Sequence, residues 1–151
     1  MKTVFTILAF FISALSFAQI VEGTDGLFYT NNNQLYTGSY TEYYGNGQVK
    51  VEMSIKDGMK DGKIVLFFED GTINEERSYK KNKNSGIWIT YNDKGTKLAE
   101  AGYLDGKKNG EWLIWDEKGI LRFQMFYENG KKKGVWKMWD EHGELTSEKN
   151  Y

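Results

Sequence analysis

Two sets of glycines recur at a constant interval of 24 residues through most of this 151-residue chain. The first set is Gly38, Gly62, Gly86, Gly110 and Gly134, and the second is Gly47, Gly71, Gly95, Gly119 and Gly143. A period of about 20 to 50 residues is typical of repeat architectures, in which each unit packs against its neighbours. The chain is therefore predicted to present a repeated surface rather than one cleft.

The segment between the two glycines of each unit has the composition of a β-strand. Two residues after the first glycine stand Tyr40, Ile64, Trp88, Trp112 and Trp136. Three residues further on stand Tyr43, Phe67, Tyr91, Trp115 and Trp139. Aromatic and β-branched residues favour strands, here of roughly seven residues. Because strand side chains alternate, the three-residue offset predicts two aromatic columns on opposite faces.

The segment after the second glycine predicts another strand, of roughly eight residues, with one apolar face. One slot holds Val49, Ile73, Lys97, Leu121 and Leu145, and another holds Ile55, Tyr79, Tyr103, Tyr127 and Tyr151. The even spacing between these slots predicts that both lie on one face. The opposite face would carry Glu52, Glu76, Glu100, Gln124 and Glu148.

Turn chemistry separates these strands. Pairs such as Asp70-Gly71 predict tight turns inside each hairpin, with a positive φ at the glycine. Pairs such as Asp57-Gly58 predict short turns between units, where Asn82 replaces glycine and tolerates the left-handed region. The predicted fold is all-β: an elongated, single-layer antiparallel meander of five 24-residue hairpin repeats over residues 38–151. The first glycine set is expected to open strands, and residues 19–37 are expected to form an N-terminal capping half-repeat.

Residues 1–18 have the pattern of a signal peptide. Lys2 precedes an apolar run over residues 4–17, and the small residues Ser16 and Ala18 fit a cleavage site after Ala18. A buried first strand or helix is the alternative, since the run is shorter than the roughly 20 residues of a membrane span. The expectation is an exported chain, periplasmic or secreted, with no transmembrane segment after cleavage.

Composition argues against several classes of function. The formal net charge is −1, which gives no basic excess for nucleic-acid binding. The chain has no cysteine and one histidine, His142, so no metal site is expected. The glutamate row is repeated five times, whereas catalysis needs one distinct site, and pairing with lysines explains it better. We therefore expect no enzyme, with no catalytic residues and no cofactor.

Candidate partner-binding residues are the tryptophans and the lysines of the inter-repeat turns. The tryptophans are Trp88, Trp112, Trp115, Trp136 and Trp139, which either pack between hairpins or leave one column exposed to a partner or a sugar. The lysines are Lys107, Lys108, Lys131, Lys132 and Lys133, which predict a basic rim opposite a mostly acidic one. This rim serves solubility or contacts an acidic partner or an anionic envelope surface.

The repeated motif resembles the MORN repeat variant proteins of bacteria over essentially all of the chain after residue 18. The clearest copy is GEWLIWDEKGILRFQMFYENGKKKG at 110–134, and LYTGSYTEYYGNGQVKVEMSIKDGMKDG at 35–62 resembles the start of such proteins. Members are often labelled YwqK-type antitoxins, so the resemblance implies protein binding without catalytic residues. The main hypothesis is an exported, non-enzymatic protein–protein interaction module. The alternative is a glycan- or anionic-envelope-binding module that uses the tryptophan columns and the lysine-rich rim.

Overall fold

A computed structural model describes residues 20–151, so the predicted signal peptide and its cleavage site lie outside the described residues. This part of the chain folds into strands without a helix. The strands are β1 (Val21–Glu22), β2 (Phe28–Tyr29), β3 (Gly38–Tyr43), β4 (Val49–Lys56), β5 (Met59–Phe67), β6 (Ile73–Lys80), β7 (Lys83–Asn84), β8 (Gly86–Tyr91), β9 (Lys97–Leu104), β10 (Lys107–Trp115), β11 (Leu121–Glu128), β12 (Lys131–Trp139) and β13 (Leu145–Asn150).

Strands β3 to β13 form one antiparallel sheet in which neighbours in sequence are neighbours in space. The hairpins are β3–β4, β5–β6, β8–β9, β10–β11 and β12–β13. Strands β7 and β8 both pair with β6. Together they correspond to a single strand, such as β10, in the following hairpins. The predicted all-β antiparallel meander is confirmed.

The turns between hairpins have two central residues in the left-handed region. They are Asp57-Gly58, Lys81-Asn82, Asp105-Gly106 and Asn129-Gly130, with φ between 48° and 84°. Two successive positive φ values define the hairpin turn whose twist matches that of the flanking strands. The left-handed conformation predicted for Asn82 is confirmed, and Lys81 shares it with a φ of 50°.

The turns inside hairpins combine a four-residue turn with a glycine bulge. The Gly119 N–H donates to the Asp116 carbonyl at 2.9 Å, and the Asp116 N–H donates to the Ile120 carbonyl at 3.0 Å. Gly119 has a φ of 80°, as the sequence predicts. The Asp116 carboxylate also accepts the N–H groups of Lys118 and Ile120, so this side chain fixes the turn.

Aspartates at two positions of these turns, that of Asp116 and Asp140 and that of Asp70, make the stability sensitive to acid. The N–H groups of Glu144 and His142 hydrogen-bond to Asp140 and lower the pKa of its carboxyl, and Thr72 likewise lowers the pKa of Asp70. A lowered pKa in the folded state stabilises the fold above the pKa of the unfolded chain. This contribution disappears as the pH falls through the folded-state pKa.

We expect the variant D70N/D140N to keep its stability at pH 7 and to lose less stability than the wild type between about pH 5 and 2. Asparagine retains the side-chain acceptor, and in other hairpins Asn92 already fills the position of Asp140 and Asn46 that of Asp70. Urea denaturation at intervals over this range measures the effect. If the free energy of unfolding fell equally with pH in the variant and the wild type, these carboxylates would not cause the acid sensitivity.

The prediction that the first glycine set opens strands holds for Gly38 and Gly86, which begin β3 and β8, and is wrong for the other three glycines. Gly62, Gly110 and Gly134 sit within the nine-residue strands β5, β10 and β12, and each has a positive φ. Around Gly110, Lys108 pairs with Tyr103 and Trp112 with Ala101, so three residues of β10 face one of β9. The glycine conformation forms a bulge, after which regular pairing resumes.

A second bulge reverses the face of one predicted apolar slot. In β10 and β11, Ile114 pairs with Phe123 whereas Trp115 pairs with Leu121, which leaves one residue extra on β11. Lys97, in the Leu121 slot of its hairpin, accordingly extends to the Glu100 carboxylate at 2.8 Å. The prediction that both slots of the second strand lie on one face is therefore wrong.

Four of the five most buried apolar side chains lie near the N-terminal end of the sheet, and the fifth, Ala101, lies in β9. The four are Phe28, Val51, Ile55 and Ile64. The Phe28 N–H donates to the Gly58 carbonyl at 2.8 Å, and its ring packs on Tyr40 with 5.4 Å between centroids. Strands β1 and β2 form a separate two-stranded sheet. Within the described residues, this segment covers the first hairpins without adding a strand to their edge.

Candidate functional site

Seven aromatic rings form a continuous stack across one face of the sheet. Tryptophans of the first column alternate with tyrosines of the second strands, in the order Tyr79, Trp88, Tyr103, Trp112, Tyr127, Trp136 and Tyr151. Neighbouring centroids are 4.8 to 5.4 Å apart and the rings are tilted, which is a favourable geometry for aromatic pairs. We call this stack the aromatic ladder and its side of the sheet the ladder face.

The tryptophans of the ladder also satisfy backbone carbonyls beside the glycine bulges. The indole N–H of Trp88 donates to Ser78 at 3.0 Å, that of Trp112 to Gly102 at 2.9 Å and that of Trp136 to Phe126 at 3.1 Å. Pairing is irregular at the bulges, so the indole N–H bonds a carbonyl where the regular pattern is interrupted. Both the ring and the N–H of these residues hold hairpins together.

Two of the predicted rim lysines extend over the aromatic ladder. The Lys108 amino group lies 4.0 Å from the centroid of Trp112 and 4.9 Å from that of Tyr127. The Lys132 amino group lies 4.3 Å from Trp136 and 4.5 Å from Tyr151. These distances are typical of cation–π contacts.

The remaining predicted rim lysines stay away from the ladder. Lys133 forms an ion pair with Glu128 at 2.7 Å. Lys107 and Lys131 are exposed at the starts of β10 and β12, and neither has a carboxylate partner among residues 20–151. The structure thus brings Lys108 and Lys132 together with the first tryptophan column and leaves the other three lysines at the rim.

The second tryptophan column lies on the opposite face, as the three-residue offset predicts. The Lys97 amino group lies 5.4 Å from the Trp115 ring and also binds Glu100, so Trp115 shares the side of the glutamates. In the described residues, the rings of Trp115 and Trp139 stack on no other ring, and their indole N–H groups donate no hydrogen bond. We call this side the glutamate face.

Lysines pair with three carboxylates of the glutamate face, those of Glu76, Glu100 and Glu148. Lys63 forms an ion pair with Glu76, and this hydrogen bond lowers the pKa of the glutamate. The Lys137 amino group lies 3.7 Å from the carboxylate of Glu148. These ion pairs agree with the structural role expected of the glutamate row.

The C-terminal half of the ladder face exposes an apolar surface that the sequence reasoning missed. Ile114, Phe123 and Met138 pair directly across β10, β11 and β12, and their exposed fractions are 37%, 38% and 39%. A shallow cavity of about 190 Å³ continues this surface between Phe123, Trp136 and Tyr151. Side chains two residues apart in a strand lie on the same face, so Ile114 follows Trp112 onto the ladder face. This signal in the sequence could have revealed part of the surface.

We call this region the C-terminal ladder surface. It consists of Ile114, Phe123, Met138, Trp136 and Tyr151, with Lys108, Lys132 and Lys149 around them. The Lys149 amino group lies 4.9 Å from the Tyr151 ring. Aromatic and aliphatic side chains surrounded by cations can bind a partner that has both apolar and acidic groups.

Two further properties bear on function. No cluster of three or more His, Cys, Asp or Glu side chains suited to a metal occurs among residues 20–151. Over the same residues, the chain has no helix with the length and apolar character required to cross a membrane.

The sequence model of the MORN repeat variant family matches four segments, which together cover more than half of the chain. They are residues 36–57, 60–81, 108–129 and 132–151. Each matched segment corresponds to one hairpin, and β8–β9 lies between the second and third segments. No curated protein matches this chain.

Proposed function

This chain belongs to the MORN repeat variant family, and we propose that it is an exported, non-enzymatic module that binds another protein. The observation that carries the proposal is the difference between the two ends of the ladder face. Ile64, in the slot of the ladder tryptophans, is only 5% exposed near the N-terminal end. Ile114, Phe123 and Met138 form an adjacent exposed group near the C-terminal end.

Such a grouping supports protein binding. Single exposed apolar residues are common on soluble proteins, whereas adjacent ones bordered by polar groups mark interaction sites. Here β10, β11 and β12 hold the three side chains in one row. A partner that covers this row would bury the side chains without any change in the sheet.

Export within this proposal rests on the signal-peptide pattern of residues 1–18. The antitoxin role rests on the resemblance to YwqK-type proteins. An exported chain does not meet a cytosolic toxin, so a toxin partner would itself have to be exported. Protein binding by the C-terminal ladder surface does not depend on this narrower role.

Site-specific photocrosslinking in producing cells tests the proposal. A crosslinking residue at position 123 probes the C-terminal ladder surface, and one at Ile87, which is also exposed, serves as the control. We expect one protein to crosslink at position 123 alone and to bind the purified chain. We further expect F123S to weaken that binding at least about tenfold, since a central apolar anchor often dominates an interface. Equal crosslinking at both positions, or unchanged affinity of F123S, would contradict the proposal.

The second tryptophan column favours a second candidate function, glycan binding. Trp115 and Trp139 are half-buried, have no indole hydrogen bond in the described part of the chain and lie on alternate strands. Strand spacing puts them about 10 Å apart, where each ring could stack on a sugar. Oligosaccharides should then protect tryptophan fluorescence from acrylamide in F123S but not in W115A/W139A. Unchanged quenching across a broad oligosaccharide panel would exclude this function.

A further inference from the structure

The C-terminal half of the ladder face has lysines without acidic partners. On the glutamate face, Lys63, Lys97 and Lys137 each pair with a carboxylate. By contrast, Lys108, Lys132 and Lys149 have no carboxylate within 4 Å among residues 20–151 and lie over aromatic rings instead. Their positive charges are uncompensated, so an acidic ligand would gain ion pairs here without displacing a carboxylate.

The spacing of two of these lysines specifies the ligand more closely. Lys108 and Lys132 occupy equivalent positions in β10 and β12, which are two strands apart. At about 4.8 Å between neighbouring strands, the two positions are separated by about 9.6 Å along the ladder. A ligand that uses both lysines needs acidic groups at this separation on one side.

A polyproline II segment has this geometry. It has three residues per turn and rises about 3.1 Å per residue, so residues i and i+3 point the same way about 9.3 Å apart. In a β-strand, residues i and i+3 point to opposite sides, and residues i and i+2 are only about 6.8 Å apart. Proline-rich segments also dock on aromatic side chains, and the ladder provides such a surface beside both lysines.

We infer that the ladder face binds a polyproline II segment of the partner protein with an acidic side chain at every third position. This inference rests on the proposed protein-binding function. The segment runs across the strands, its carboxylates contact Lys108 and Lys132, and its prolines pack on the rings of Trp112, Tyr127 and Trp136. Lys149 of β13 and Tyr151, which directly follows this strand, border the site.

Synthetic peptides and the full chain test this inference by titration calorimetry. The probe is five repeats of Pro-Pro-Glu, compared with five repeats of Pro-Pro-Gln and with a peptide of the probe's composition whose glutamates are consecutive. We expect binding of the probe only, weakened at least about tenfold in K108Q/K132Q because charged contacts are lost. The matched control K107Q/K131Q removes the same charge from exposed neighbours and should change the affinity less than about twofold.

Three outcomes would overturn the inference. Equal weakening in the two lysine variants would show a general charge effect. Tighter binding of the consecutive-glutamate peptide would contradict the three-residue spacing. Binding to phosphatidylglycerol vesicles that depends on Lys108 and Lys132, without binding of the probe, would assign the lysines to a membrane surface.

The two proposals fail in distinguishable ways. If F123S loses the crosslinked partner while K108Q/K132Q retains it, the protein-binding surface is correct and the acidic polyproline segment is wrong. If the probe binds through Lys108 and Lys132 but F123S keeps its full affinity for the partner, the acidic polyproline segment is correct and the protein-binding surface around Phe123 is wrong. Circular dichroism of each variant excludes misfolding as the cause.

Discussion

The variant W112A is expected to lower the free energy of unfolding by about 3 kcal/mol. Trp112 lies in the middle of the aromatic ladder, with its ring centroid 5.2 Å from Tyr103 and 5.4 Å from Tyr127. Its indole N–H donates to the Gly102 carbonyl at 2.9 Å. Alanine removes the ring contact with Tyr103 and the hydrogen bond, which join neighbouring hairpins, and the ring contact with Tyr127 within the same hairpin. The ring is only half-buried, which places the expected loss at the lower end for a tryptophan.

Trp115 provides the matched control for this prediction. It belongs to the same strand and is also half-buried, but it stacks on no ring within residues 20–151. We expect W115A to lower the free energy of unfolding by about 1 kcal/mol. The variant W112F keeps a ring without the N–H, so its loss should lie between those of W115A and W112A. Urea denaturation monitored by far-ultraviolet circular dichroism measures all three. Equal losses in W112A and W115A would mean that the ladder contributes no more than ordinary burial.

The variant F28A is expected to lose about 3 to 5 kcal/mol of unfolding free energy. Phe28 is 2% exposed, packs on Tyr40 and donates its backbone N–H to Gly58 in the first inter-hairpin turn. Lys60 lies 5.6 Å from the centroid of the same ring. Truncation leaves a cavity at the most buried end of the sheet, where relaxation is limited by the hydrogen-bonded turn.

Val21 gives the control because it belongs to the same two-stranded sheet but is 52% exposed. We expect V21A to change the unfolding free energy by less than about 1 kcal/mol. Hydrogen exchange of β3 to β5 should quicken in F28A and remain as in the wild type in V21A. If only β1 and β2 exchanged faster in F28A, residues 20–37 would be an appendage rather than part of the core.

The sequence predicted the features that depend on residues near each other in the chain. Gly119 and Asn82 adopt the left-handed conformation because their turns require it, and both were predicted from turn chemistry. The opposite faces of Trp112 and Trp115 follow from alternation over three residues. These signals are repeated in successive units, which is why the antiparallel meander could be predicted with little ambiguity.

The errors came from bulges, which alternation alone does not reveal. Gly110 was expected at the start of a strand because glycine usually interrupts β-structure. In the structure its positive φ creates a bulge inside β10. A second bulge turns Lys97 toward Glu100, so counting residues assigned its slot to the wrong face.

The candidate site was predicted in part. The sequence identified Trp112, Trp136, Lys108 and Lys132, but it assigned the tryptophans to columns and the lysines to a rim. Alternation placed Ile114 on the same face as Trp112, yet its exposure depends on what covers the sheet. Residues 20–37 cover the N-terminal end, and this contact joins segments far apart in the sequence.

The repeat, the all-β class, the turns and the residue types available to each face can all be read from the order of residues along the chain. These properties arise from backbone sterics and side-chain alternation, which act over a few residues. Three features required the folded sheet: tyrosines separate the tryptophans, Lys108 and Lys132 lie over the rings, and one end of the ladder face stays uncovered. Those contacts depend on the register between strands, which the bulges and the folded N-terminal segment determine together.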